Sequence, residues 1–154
     1  MIPPKVYNDP GASLMISPNA IAHILGIQND VRTVRDLDGA VSHGLSKQSL
    51  TRVVTRVARN GSEAKVIRDR VIPSATWKRT KGRLSINVSE RTERLARVLA
   101  AAEHTWDDPE QARSWMNQPH PELDGKTPLA AASTELGARS VEDLLDKLFY
   151  GLPV

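Results

Sequence analysis

Residues 87–106 read NVSERTERLARVLAAAEHTW. Val88, Leu95, Leu99, Ala102 and Trp106 fall at spacings built from threes and fours, so they share one stripe of an α-helix while Glu and Arg occupy much of the remainder. Asn87 and Glu90 stand in the order of a capping box, in which the first side chain takes an early backbone N–H and the second reaches back. The longest helix is therefore expected to open at Asn87. Glu90 with Arg94 and Glu93 with Arg97 are i,i+4 pairs in the favourable order along it.

The same period continues on both sides in shorter pieces. From Ser46, residues Leu50, Val53, Val54, Val57 and Ala58 form an inward face opposite Arg52, Arg56 and Arg59, and Asn60-Gly61 is expected to stop that helix. Ser62 is expected to cap a second helix with Ala64, Ile67 and Val71 inward, broken by Ile72-Pro73. Ser74 is expected to cap a third, short helix from Ala75 through Trp77 to Thr80, ended near Gly82. Helix, tight connection and short basic helix make a helix-turn-helix outline. Residues 1–16, with three prolines and a glycine, read as an irregular arm. Ser17-Pro18 then starts a short helix with Ile21, Ile24 and Leu25 inward and Gly26 at its end.

Toward the C-terminus, Asp108-Pro109 opens a helix with Ala112, Trp115 and Met116 inward, and Thr127-Pro128 repeats the start signal before Leu129. A final helix over residues 141–150 turns Val141, Leu144, Leu145 and Leu148 inward and stops at Gly151. No stretch reads as a strand, so the fold class is all-α. Its expected parts are an arm and short helix (1–31), a helix-turn-helix module (32–88) and a C-terminal helical module (89–154).

The 154 residues are 40% hydrophobic and 25% charged, enough to bury a core. Charge is unevenly divided. Residues 32–83 carry 13 Lys+Arg against 4 Asp+Glu, whereas residues 84–154 carry 7 against 12. Two surfaces with different partners are implied, the basic one suited to a polyanion. No apolar run reaches membrane-spanning length and no basic-then-apolar leader opens the chain, so the expected place is the cytoplasm, away from membranes. The absence of cysteine excludes disulfides and thiolate chemistry.

Enzyme chemistry finds no constellation. Residues 39–46 imitate a phosphate-binding loop, but Leu45 stands where that loop needs lysine. His23, His43, His104 and His120 have no metal-ligand spacing and read as surface or cap residues. Asp107, Asp108 and Glu110 read as a cap and helix-start acids rather than an acid–base pair. No catalytic residue, metal or cofactor is expected.

The run SERTERLARVL (89–99), then DPEQA (108–112) with Trp115, GKTPL (125–129), GAR (137–139) and VEDLL (141–145) resembles the Xre/MbcA/ParS antitoxin family, over about residues 44–154. The resemblance implies an Xre-like helix-turn-helix, and a C-terminal module that binds and inhibits a NAD-consuming RES-domain toxin. It also implies repression of the chain's own operon. Asp69-Arg70-Val71-Ile72-Pro73 departs from the usual apolar-then-glycine turn. An aromatic among basic residues, Trp77 invites base stacking, whereas the resemblance implies a buried position.

Candidate DNA contacts are Ser74, Ala75, Lys78 and Arg79 toward bases, with Lys81 and Arg83 toward phosphates. A homodimer on an inverted repeat is expected, since one such helix reads a half-site. Leu148, Phe149, Tyr150, Leu152 and Val154 are the candidate toxin contacts, because apolar residues crowd around the final helix stop. The alternative is a free-standing homodimeric transcriptional regulator.

Overall fold

The computed structural model describes residues 16–154. Its helices are α1 (Pro18–Leu25), α2 (Val34–Ser42), α3 (Lys47–Val57), α4 (Gly61–Val71), α5 (Ser74–Arg79), α6 (Ile86–Trp106), α7 (Pro109–Met116), α8 (Pro128–Ala131) and α9 (Glu135–Phe149), with a 3₁₀ turn at Pro121–Leu123. No strand forms among the described residues; Ser46 and Arg83 share one isolated antiparallel bridge. The fold is all-α. Of the arm expected over residues 1–16, residues 1–15 lie outside the described residues.

Helix α6 is the axis. It touches α1, α2, α3 and α4 as well as α7 and α9. The stripe of Val88, Leu95, Leu99 and Ala102 is buried, but so are Ala96, Val98, Ala100 and Ala101 on its other sides. Small alanines let neighbours approach from several directions, so the helix is a shared core element rather than an amphipathic cover. One cluster of buried side chains runs from Ile21 in α1 to Leu145 in α9. Truncating the fully buried Leu99 to alanine should cost about 2–5 kcal/mol.

Several expected boundaries are corrected by capping geometry. Helix α3 ends when Ala58 turns extended, and Asn60 starts α4 instead of stopping α3: its side chain accepts the N–H of Glu63 at 3.0 Å, leaving Ser62 inside the helix. Glu63 in turn accepts the Arg59 N–H and pairs with the Arg59 guanidinium. Ser74 is the first residue of α5 and caps nothing, the N-cap being Pro73. Helix α6 opens one residue before Asn87, because Ser85 is the extended residue that accepts Val88 N–H. Arg94 turns from Glu90 to Glu135 and the Ser133 carbonyl across the helix interface, while the Glu93–Arg97 pair forms. Helix α9 starts well before residue 141, since Thr134 accepts Gly137 N–H at 3.0 Å. Helix α2 had no expected counterpart; Thr33 and Asp36 form its capping box, with Leu37 and Val41 buried.

Candidate functional site

Helix α5 has six residues and no side-chain N-cap, too little to stand alone. Lys47, at the start of α3, holds it. The Lys47 ammonium donates to the carbonyls of Trp77 (2.8 Å) and Thr80 (3.2 Å), the orphan acceptors at the end of α5. It also lies 4.2 Å from the centre of the Trp77 ring, and the Arg68 guanidinium carbon lies 4.8 Å from the same ring. Trp77 is half-buried against the core, which favours the packing role over base stacking. Arg68 Nε is buried without an acceptor, and the ring beside the guanidinium is its compensation. Trp77 turned inward leaves Ala75, Lys78 and Arg79 exposed on the outer side, with Ser74 half-buried.

Many cations of the basic middle are committed inside the molecule. Arg52 reaches the last carbonyls of α1, Arg56 pairs with Glu103, and Arg59 pairs with Glu63. Lys65, Arg70, Lys78, Arg79 and Lys81 pair with no carboxylate among the described residues. The free positive charge is thereby concentrated on α4, α5 and the turn after it. Arg83 is exposed, but its Nη1 donates to Gly44 O at 2.8 Å and its strand-like backbone pairs with the loop before α3. Gly44, at φ +92°, is required there: a side chain would meet the Leu84 carbonyl at 2.7 Å. The buried Ser89 hydroxyl accepts Leu45 N–H at 2.9 Å and closes this strap.

Lys47 was not among the expected site residues. A lysine in the first turn of a helix opposes the helix dipole, and that local misfit was the available signal.

The C-terminal half is bolted to α3 and α6. Arg113 of α7 donates to Arg56 O (3.0 Å) and Asn117 to Val57 O (2.9 Å), satisfying carbonyls at the end of α3. On the other side, Arg97 of α6 meets Glu93 (3.4 Å), Glu135 (2.9 Å) and Glu142 (2.8 Å). Burial pushes the carboxyls of Glu93 and Glu142 above the ordinary glutamate range despite Arg97. Glu135 is held below that range: burial opposes its charge, but hydrogen bonds from Arg94 and Arg97 outweigh it. Burial works against the Arg97 charge too, yet its three acidic neighbours hold its pKa above the ordinary value.

At the end of α9, Gly151 (φ +66°) closes a Schellman turn, with Leu152 N–H on Lys147 O at 2.8 Å and Gly151 N–H on Leu148 O at 3.3 Å. Leu148 is half-buried against the core. Phe149 stacks on His104 of α6 with centroids 5.0 Å apart and meets Tyr150 edge-on at 4.9 Å. Leu152 and Val154 are 54% and 55% exposed. The structure thus divides the expected apolar end into an inner part on the core and an outer part facing solvent.

Residues 101–151, covering α7 to α9 and the Schellman turn, match the family model described as the antitoxin Xre/MbcA/ParS C-terminal toxin-binding domain. These residues are thus similar to the toxin-binding domain of the Xre/MbcA/ParS antitoxin family. The chain is also similar to the protein named antitoxin Xre of Pseudomonas putida, 29% identical over 101 residues that make up 64% of each chain. A second antitoxin Xre, of Yersinia enterocolitica, is 34% identical over 94 residues, 58% of this chain and 64% of the relative. The chain spans just under two thirds of the length of these relatives. In this matched segment Asp108 caps α7 and Glu110 pairs with Arg113, so both acids have structural work. His120 caps the 3₁₀ turn through Nδ1. Among the described residues no three His, Asp or Glu are grouped to hold a metal ion, and no helix is long and apolar enough to cross a membrane.

Proposed function

We propose that the chain is an antitoxin that binds and neutralises a cognate RES-domain, NAD-consuming toxin in the cytoplasm, acting by binding and not by catalysis. The match of residues 101–151 to a toxin-binding domain carries this reading. Leu148, Phe149, Tyr150, Leu152 and Val154 are the proposed toxin contacts. The names of the two relatives support the antitoxin role, and the resemblance in the sequence supports the choice of toxin class.

We also propose that the chain represses its own operon as a homodimer, with 32–88 as the DNA-binding part and 89–154 as the toxin-binding part. Exposed Ala75, Lys78 and Arg79, together with Lys81 beyond α5, support this DNA interface. Ser74 and Arg83 complete it, Arg83 with the donors that Gly44 does not occupy. The deciding experiment co-expresses the chain with the protein encoded beside it. A RES-domain neighbour that co-purifies and loses toxicity supports the antitoxin. A chain that binds its promoter with no such neighbour is instead a free-standing regulator.

A further inference from the structure

The seam between α4, α6 and α8 encloses a cleft of about 300 Å³ that none of the proposed contacts use. Its floor is apolar: Ile67 and Leu95 are buried, and Leu129 is partly buried against the core. Three arginines line it, and they are not equivalent. Arg94 is held by Glu135 and the Ser133 carbonyl. Arg91 donates to Val71 O at 3.2 Å, a neutral acceptor, and Arg70 meets no carboxylate among the described residues. Both are exposed. Two guanidiniums without carboxylate partners therefore stand over an apolar floor, Arg70 from the basic segment of the chain and Arg91 from the net acidic one.

We propose that this cleft binds a small amphipathic carboxylate, whose apolar body rests on Leu95, Leu129 and Ile67 and whose carboxylate is taken by Arg70 and Arg91. The volume lies at the small end of ligand pockets, where a short alkyl or single-ring body fits. Arginine's planar fork suits a carboxylate, and apolar burial beneath it supplies the remaining affinity. The walls come from α4 on one side of α6 and from α8 on the other, so a ligand here bridges the parts proposed for DNA and for toxin.

Octanoate is the probe, with octanol as its uncharged counterpart, titrated into the full-length chain and followed by amide chemical shifts. Saturable shifts should centre on residues 67, 71, 95 and 129, with octanol at least tenfold weaker. Arg70→Gln with Arg91→Gln should weaken octanoate at least tenfold and leave octanol unchanged, while Leu129→Trp should close the cleft to both. Octanoate at a large excess over its Kd should also raise the melting temperature of the original chain but not of Leu129→Trp. Equal binding of octanoate and octanol, shifts scattered without saturation, or octanoate binding indifferent to both arginines overturns the proposal. So does a result in which octanoate fails to bind while the arginine changes weaken toxin capture, since the occupant is then a segment of the toxin.

Discussion

Arg97 Nε lies 2.8 Å from Glu142 Oε1, and this contact joins the middle of α6 to α9. Because the same guanidinium also serves Glu93 and Glu135, one cation is shared by three acids, and the acids respond differently to burial.

The pH dependence follows from that inequality. Glu135 has a lowered pKa, so its contribution is present above the ordinary glutamate value of 4.5 and is lost as pH falls through the lower, folded value. Glu93 has a raised pKa, so its ionisation opposes folding as pH rises through that value. Glu135→Gln should lose up to about 1 kcal/mol at neutral pH, the difference closing in acid. Glu93→Gln should match or exceed the original stability at neutral pH. Urea melts at pH 7 and pH 4 check this, and equal losses for the two variants would refute it.

Lys47→Met should leave the helical content intact and weaken operator binding about tenfold or more. The substitution keeps the stem against Trp77 but removes the donor to the Trp77 and Thr80 carbonyls, so α5 loses its clamp without losing a core side chain. Circular dichroism with a gel-shift titration reads both halves. Unchanged DNA affinity would mean that α5 does not depend on Lys47.

Affinity for operator DNA should fall steeply with salt, and Lys81→Ala should reduce the slope by roughly 1 while weakening all sequences alike. Arg79→Ala should lose about 1–3 kcal/mol on the operator and relax its selectivity. Sedimentation should find a dimer and footprinting an inverted repeat. A flat salt dependence, or a monomer protecting no repeat, contradicts the interface.

The core was legible where period and cap agreed. Ser17-Pro18, Asp108-Pro109 and Thr127-Pro128 all start helices as their chemistry requires. The cap of α6 was misplaced, on Asn87 instead of Ser85. Ser85 and Asn87 differ by two residues, and the choice rests on which backbone is extended, a property set by the strap from Leu45 to Leu84. Helix α2 was missed because it shows only Leu37 and Val41 inward and carries Gly39 mid-helix. The Arg56–Glu103 pair and the Arg113 and Asn117 contacts with α3 join residues dozens of positions apart. Local period carries no trace of such pairings.

The last prediction concerns residues 149–154. The Schellman turn at Gly151 fixes where the chain goes after α9, and such a turn often covers its following apolar residue against the helix. Here Leu152 stays 54% exposed, with Val154 55% exposed beyond it, following Phe149, which stacks on His104, and Tyr150, which meets Phe149 edge-on. An ordered apolar end of this kind suits insertion into a partner's concave surface. Deleting residues 149–154 should abolish toxin neutralisation, but it also removes the Phe149–His104 stack and so perturbs the helix end. Leu152→Asp with Val154→Asp separates the effects, because both side chains face solvent and the fold should keep its melting temperature. Each change should weaken toxin binding by about 2 kcal/mol, roughly thirtyfold, if these residues are anchors. Toxin capture by calorimetry, beside thermal melts of the free chain, reads the two quantities separately. Should the double variant melt normally and still neutralise toxin with unchanged affinity, the contact surface lies elsewhere on the acidic half, with the groove from Glu122 to Lys126 and the 76% exposed Leu136 the next to test.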